Sequence, residues 1–266
     1  MGSQHEPGRL EGRRIAVTRA DEQGVGGLSD RLAALGADVL AIPLTRIEPV
    51  NPAGLRDALS RLAAGGYDWV VFTSRNGVRL ACEALRATVG SLDPLRAVRL
   101  AVVGPATAER VAAEGLEVTV MPQRFVAEGL VEAMATRDDV RGRRVLYPTA
   151  EGARDVIPEG LGAMGAVVDV VHAYRSTPDP RAAEALRAAL EEGPVDLVTF
   201  AAPSAVQAWV DALAPAQARG IPAATIGSVT SDAARAAGIP VVVEAEESTI
   251  PGLVAAITHH YEGQHA

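Results

Sequence analysis

The chain has 266 residues, of which 48% are hydrophobic and 22% charged, which is ordinary for a globular protein with room for two domains. Its net charge of -8 opposes nonspecific binding to nucleic acid, and no apolar run approaches the roughly 18 residues of a membrane helix. All 25 basic residues are arginine, which excludes lysine nucleophiles, pyridoxal phosphate chemistry and P-loop ATPases.

The first half of the chain alternates predicted strands and helices. Residues 1–12 read as a polar arm without the apolar stretch of a signal peptide. A helix is predicted from about Asp21 to Leu35, because leucines recur on one face and Gly36 ends the pattern. The predicted strands are short and apolar and cover residues 15–17, 39–43, 70–72 and 100–103. Without an apolar run for a membrane helix or a signal peptide, we expect a cytoplasmic protein. Cys82, the single cysteine, falls in a predicted helix and cannot form an internal disulfide.

The second half repeats the first. Residues 197–206 resemble residues 69–78, and residues 226–231 resemble residues 103–108, at an offset of about 125 residues. Predicted strands cover residues 145–147, 167–171, 197–200 and 224–226. Continuous apolar strands that alternate with helices predict parallel sheets covered on both faces, and the repeat predicts two similar domains. We expect ligand binding in a cleft between such domains, outside the carboxyl ends of the strands.

Two segments interrupt the alternation at equivalent places in the repeat. Residues 44–49 and 172–178 both look extended and both end in proline. We interpret them as the crossings between the domains.

Four strand-to-helix corners carry small hydroxyl residues, which are Ser74, Thr107, Ser204 and Thr230. Free backbone N–H groups at a helix start, together with the helix dipole, bind carboxylates or phosphates. The alternative is plain N-capping by the same residue types. Recurrence of the feature in a duplicated chain favours a ligand with several negative charges.

Other kinds of site have weaker signals. Residues 24–27 form a glycine-rich loop, but the full dinucleotide spacing is absent and no acidic residue ends the next strand. The histidines lack metal-ligand spacing, and His172 is interpreted as structural, so we expect no metal and no cofactor. No nucleophile motif is present. Arginines at strand ends and crossings are candidate carboxylate partners, or else ordinary solvated side chains: Arg19, Arg46, Arg75, Arg154 and Arg175.

These residues together resemble the uroporphyrinogen-III synthase family. The resemblance rests on short motifs that span almost the whole chain in order: residues 17–19, 72–78, 103–107, Tyr174 in the second crossing, 200–206, 226–227 and Thr230. It implies two flavodoxin-like α/β/α domains with parallel sheets, internally duplicated and joined by a two-stranded linker. It implies that domain one is 1–44 plus 178–266, that domain two is 49–172, and that 44–49 and 172–178 are the linker strands.

The resemblance also implies an activity. A family member is a cofactor-independent lyase that cyclises the linear tetrapyrrole hydroxymethylbilane, with its eight carboxylates, to uroporphyrinogen III. Water is lost and ring D is inverted through a spiro intermediate, whereas spontaneous closure gives the unrearranged isomer. Catalysis is then mostly positioning, with one acid near the departing hydroxyl. We expect a monomer in tetrapyrrole biosynthesis, without nucleic-acid or membrane partners.

The implied site residues follow the matching motifs. Tyr174 is the implied catalytic residue, since the family places a tyrosine in its cleft. The implied substrate-binding residues lie at the corners and strand ends: Thr18, Arg19, Ser74, Arg75, Asn76, Pro105, Ala106, Thr107, Arg154, Ser204, Ser228, Val229 and Thr230. The chain departs from the family pattern at Ala201 and Ala202, where Thr-Ser is usual, and in having no counterpart for a lysine of the C-terminal half.

Two other functions remain open from the residues alone. A two-lobed cytoplasmic binding or sensor protein would have the same fold without chemistry. A nucleotide-dependent transferase would also use two parallel-sheet domains.

Overall fold

The computed structural model describes residues 9–19, 27–136 and 140–263. It divides into two compact units. Unit 1 is Met1–Arg46 with Ser176–Ala266, and unit 2 is Ile47–Arg175. The chain therefore passes between the units twice.

Ten strands and twelve helices lie within the described ranges. The strands are β1 (Arg14–Val17), β2 (Asp38–Ala41), β3 (Thr45–Pro49), β4 (Trp69–Phe72), β5 (Arg99–Val102), β6 (Arg144–Ala150), β7 (Val167–Pro178), β8 (Leu197–Phe200), β9 (Ala223–Thr225) and β10 (Val241–Glu244). The helices are α1 (Leu28–Ala34), α2 (Pro52–Ala63), α3 (Arg75–Val89), α4 (Asp93–Arg96), α5 (Pro105–Ala113), α6 (Ala127–Ala135), α7 (Val156–Ala163), α8 (Pro180–Glu192), α9 (Pro203–Ala212), α10 (Pro215–Gly220), α11 (Ser228–Ala236) and α12 (Ile250–Glu262).

Each unit contains one five-stranded sheet. In unit 1 the order is β10-β9-β8-β1-β2, and every neighbouring pair is parallel. If the five strands of unit 1 are renumbered 1 to 5 in chain order, the sheet order read from the β2 edge is 2-1-3-4-5. This is the flavodoxin-like arrangement. Parallel pairing requires crossover connections, which the helices between the strands supply.

Four strands of the unit 2 sheet have the layout of unit 1 with a different chain path, and the fifth strand lies at the opposite edge. Its order is β3-β7-β6-β4-β5, and the β7-β6, β6-β4 and β4-β5 pairs are parallel. Strands β6 and β7 take the places that β1 and β2 take in unit 1, although they come after β4 and β5 in the chain. The registers agree, because Val145 lies opposite Trp69 in unit 2 and Ile15 lies opposite Leu197 in unit 1.

Both sheets are buried on two faces, as continuous apolar strands require. All four residues of β4 are fully buried. Val70 and Phe72 belong to one core cluster, whereas Trp69 and Val71 belong to the cluster on the opposite face. Unit 1 has its own pair of clusters, divided by β8 in the same way.

The predicted fold class is confirmed, with differences in detail. The predicted strand at 167–171 and the crossing at 172–178 form one continuous strand, β7. The helix predicted from Asp21 begins at Leu28, while the predicted start and most of the glycine loop at 24–27 lie outside the described residues. Strand β10 and the single parallel bridge between Ala101 and Val120 were not predicted.

Candidate functional site

The carboxyl ends of the strands meet at one edge of each sheet, and in this fold ligands bind where the strand order reverses. In unit 1 that switch point lies between β1 and β8. In unit 2 it lies between β6 and β4. The residues that follow these strands are therefore the ones to examine.

Ser74 forms the corner after β4 and caps α3. Its backbone is extended, and its Oγ accepts the N–H of Gly77 at 3.0 Å. The same Oγ lies 2.5 Å from the Tyr174 hydroxyl on β7. Because Ser74 already accepts one bond, it is held in a single orientation against the tyrosine.

Tyr174 is almost wholly buried at this corner, with 6% of its surface exposed. Burial raises its pKa, the hydrogen bond with Ser74 opposes that rise, and the nearby Tyr147 adds to it. The phenol therefore stays protonated at neutral pH and can only act there as a neutral hydrogen-bonding group.

A second tyrosine, Tyr147, lies at the same corner and was missed from the sequence. Its hydroxyl accepts a bond from Thr149 at 3.0 Å and lies 3.4 Å from Oγ1 of Thr73. Tyr147 and Thr149 are both almost fully buried. A tyrosine inside an apolar strand reads as an ordinary core residue, and only the sheet order places it beside β4.

Three of the four hydroxyl corners are not N-caps, so the capping interpretation is wrong for them. Thr107 and Thr230 lie at the third position of α5 and α11 and are buried, and Ser204 lies at the second position of α9. The capping positions are Gly104, Ala202 and Gly227, none of which provides a side-chain bond. At Gly227 an added Cβ would lie 2.6 Å from Oγ of Ser248, so a side chain there would require that hydroxyl to move.

The first turns of these three helices, and of α3 beside its Ser74 cap, keep free amides. The N–H groups of Thr107, Ser231 and Ala205 bond to the capping residues' carbonyls. Pro105 and Pro203 have no N–H. The remaining donors have no acceptor among the described residues, and we call them the corner amides: Asn76, Ala106, Ser204, Ser228 and Val229. They lie after β4, β5, β8 and β9, at the carboxyl edges of the two sheets.

The two predicted site residues after β1, Thr18 and Arg19, do not provide corner amides. Thr18 is buried and donates its hydroxyl to the Thr199 carbonyl at 2.7 Å, while Thr199 donates to the Ala16 carbonyl at 3.2 Å. These bonds tie β1 to β8, and a substrate would have to displace one of them to use the Thr18 hydroxyl. Arg19 follows at the switch point of unit 1 and is half-buried.

Two of the candidate arginines are held by carboxylates within unit 2. Arg154 makes two bonds to Glu128, at 2.6 and 3.3 Å, and these lower the pKa of that carboxyl. Arg175 bonds Glu48 at 3.2 Å. Both arginine side chains are about half exposed, so each pair contributes little to stability and can exchange partners.

The sequence predicted neither metal sites nor membrane helices, and the described ranges bear on both. His172 lies on β7 with Nδ1 3.3 Å from the Ala150 carbonyl, and no group of three potential metal ligands is found in the described part of the chain. No helix there combines the length and apolar character that crossing a membrane would need.

Comparison with known proteins assigns the family. The family model for uroporphyrinogen-III synthase HemD matches residues 27–255. The chain belongs to the uroporphyrinogen-III synthase family. The uroporphyrinogen-III synthase of Synechococcus elongatus is 32% identical over 257 residues, covering 93% of this chain and 95% of that protein. A putative uroporphyrinogen-III synthase of Methanothermobacter thermautotrophicus is 34% identical over 195 residues, covering 73% and 75% of the two chains.

Solved structures agree on the fold. A mutant uroporphyrinogen-III synthase of Thermus thermophilus matches with a TM-score of 0.64 at 22% identity, covering 94% of this chain and 99% of that one. The Helicobacter pylori uroporphyrinogen-III synthetase matches with a TM-score of 0.58 at 15% identity, covering 93% and 99%. The family and the enzyme class expected from the sequence are confirmed, in preference to a binding module or a nucleotide-dependent transferase.

Proposed function

We propose that this uroporphyrinogen-III synthase family member cyclises hydroxymethylbilane to uroporphyrinogen III with the corner amides and Tyr174 as its working groups. The supporting observation is the set of five corner amides on a chain with a net charge of -8. An acidic protein that binds a substrate with eight carboxylates needs local donors, because its overall field repels the ligand.

The corner amides suit carboxylates for two reasons. Each is an uncapped N–H at the start of a helix, where the helix dipole adds a partial positive charge. Hydrogen bonds to a charged acceptor are about twice as strong as neutral ones. The corners of each sheet can therefore hold carboxylates at positions fixed within that unit, which restricts how a flexible bilane folds before closure.

Three of the predicted arginines extend the same binding role. Arg154 can release Glu128 and take a substrate carboxylate, because the exchange replaces one solvent-exposed pair with another. Arg19 and Arg75 lie at the switch points of units 1 and 2, beside the corners, where a carboxylate would arrive.

Tyr174 acts on the leaving group in this proposal. The C–O bond of the terminal hydroxymethyl group breaks, the electron pair leaves with oxygen, and the pyrrole nitrogen lone pair stabilises the carbon cation. The phenol donates a hydrogen bond to the departing oxygen without giving up its own proton, and the oxygen takes a proton from solvent and leaves as water. Attack by the substituted carbon of ring D then forms the spiro intermediate. The original bond between that carbon and the ring C methylene breaks, the free α-carbon of ring D closes the ring, and its proton returns to solvent. Bound carboxylates fix the geometry of these steps.

The test is to give the enzyme hydroxymethylbilane, oxidise the product and measure type III against type I uroporphyrin. We expect mostly type III, and the same result after dialysis against a chelator. Type I alone would contradict the proposed reaction. Activity that disappears with chelator and returns with one metal would contradict cofactor independence.

The oligomeric state and location remain predictions. Large exposed apolar side chains in the described ranges are scattered, as in Val89, Met121 and Val167, which favours a monomer. A light-scattering mass near 27.5 kDa would support this, and twice that mass would contradict it. The predicted cytoplasmic location is checked by fractionating cells of the source, where activity in the membrane or exported fraction would contradict it.

A further inference from the structure

Unit 2 has two groups of hydroxyl contacts at its switch point. Thr149, Tyr147 and Thr73 form one, Ser74 and Tyr174 form the other, and the two meet only at the peptide bond between Thr73 and Ser74. Because the β6-β4 pair has the register of the β1-β8 pair, Tyr147 and the two corner residues have counterparts in unit 1.

At the equivalent places unit 1 has apolar residues, and its nearby hydroxyls, Thr18 and Thr199, bond to main-chain carbonyls instead. The matched registers place Val17 where unit 2 has Tyr147. The repeat places Ala201 and Ala202 where unit 2 has Thr73 and Ser74. Unit 1 forms the equivalent four-strand arrangement with apolar residues at these places, so the strand order does not require the contacts of Tyr147, Thr73 and Ser74.

Tyr147 lies between the other two hydroxyls of its group. Thr149 donates to the Tyr147 oxygen at 3.0 Å, and Oγ1 of Thr73 lies 3.4 Å from the same oxygen, a longer and weaker contact. Thr73 precedes Ser74, whose Oγ holds the Tyr174 hydroxyl. Each tyrosine therefore contacts one of two consecutive residues of a single corner.

We propose that Tyr147 is a positioning residue, which orients the Thr73-Ser74 corner and through it the hydroxyl of Tyr174. This inference rests on the proposed function, since it concerns the same reaction. Tyr147 does not itself need to touch the substrate, because it is 3% exposed and its hydroxyl is engaged inside the unit.

The first test is Tyr147→Phe, which removes only the hydroxyl. We expect kcat to fall about 3- to 10-fold, the kinetic equivalent of one neutral hydrogen bond, with KM unchanged. Thr73→Val, which keeps the branched shape, should reproduce the loss. The matched control is Tyr67→Phe, because Tyr67 is likewise buried, at 6% exposure. It lies before β4, at the opposite end of that strand from Thr73, and is bonded to Arg61 and Asp169. Its kcat should stay at the wild-type value.

A second variant separates positioning from stability. Tyr147→Phe leaves the buried Thr149 hydroxyl without its acceptor, which should lower Tm by about 2–8 °C. In the double variant Tyr147→Phe/Thr149→Val both partners are apolar, and much of that loss should return. The positioning role predicts that kcat stays low when Tm recovers. Recovery of kcat together with Tm would overturn it.

The final measurement tests dependence on Tyr174. If Tyr147 acts through Tyr174, the double variant Tyr147→Phe/Tyr174→Phe should be within about 2-fold of Tyr174→Phe alone. Full multiplication of the two losses would overturn the inference. If the wild-type protein makes type III product and Tyr147→Phe retains full kcat, this inference alone is overturned. If the wild-type protein makes only type I product, the proposed function is overturned.

Discussion

Replacement of Tyr174 by phenylalanine is expected to lower kcat by about 10²–10⁴-fold, the range of a positioned acid or hydrogen-bond donor. The ring stays in its buried place on β7, and the lost hydroxyl is the group that contacts Ser74 at 2.5 Å. Since the bilane can lose water unaided, the loss should fall towards the lower end of that range.

Stability should change little in the same variant. Ser74 keeps its bond from the Gly77 N–H and continues to cap α3, so the free energy of unfolding should stay within about 1 kcal/mol of wild type. The measurement is steady-state kinetics beside thermal unfolding, with Tyr67→Phe as the matched control. A Tyr174→Phe enzyme with wild-type kcat would show that the residue is packing and that the protein acts only as a template.

Replacement of Ser228 by proline is expected to raise KM by about 10- to 100-fold, the equivalent of one hydrogen bond to a charged group. Ser228 is the first residue of α11, and its N–H is one of the corner amides. Proline suits that position because its missing N–H has no helical acceptor there. Pro105 and Pro203 already occupy the first position of α5 and α9 in this chain.

The design of this variant isolates the backbone donor. Gly227 has an extended backbone, which the residue before a proline prefers, so α11 should form normally. Ser228→Ala removes the side-chain hydroxyl and keeps the N–H, and it should bind substrate like wild type. Equal KM values for the proline and alanine variants would show that the Ser228 amide does not bind a substrate carboxylate. A rise in both would assign the contact to the hydroxyl.

The sequence predicted the corners well because each combines a short apolar strand with an immediate helix start. Phe72 and Phe200 end equivalent buried strands, and the next residues begin α3 and α9. Hydrophobic periodicity cannot show which sheet a strand joins, since β1 would look the same beside β8 or β4. That the first strands belong with the C-terminal segment was implied only by the family resemblance.

The sequence did not predict which residues cap the helices or that Tyr147 lies at the site, because these features depend on backbone angles and on neighbours across strands. Thr107 and Thr230 are of a residue type that often caps helices. The residues with the extended backbone of an N-cap are instead Gly104 before α5 and Gly227 before α11, so both threonines lie at the third helical position. Tyr147 gave no local signal, because its partner Thr73 is distant in sequence and adjacent only through the β6-β4 pairing.

The central claim is that carboxylates are bound by the corner amides, and amide NMR shifts on addition of uroporphyrinogen III or a stable porphyrin analogue test it most directly. The account predicts the largest downfield proton shifts at Asn76, Ala106, Ser204, Ser228 and Val229. Internal controls are Gly54 and Gly252, whose amides are already bonded to the capping side chains of Asn51 and Thr249. Saturating ligand that shifts the corner amides no more than these two controls would contradict the account.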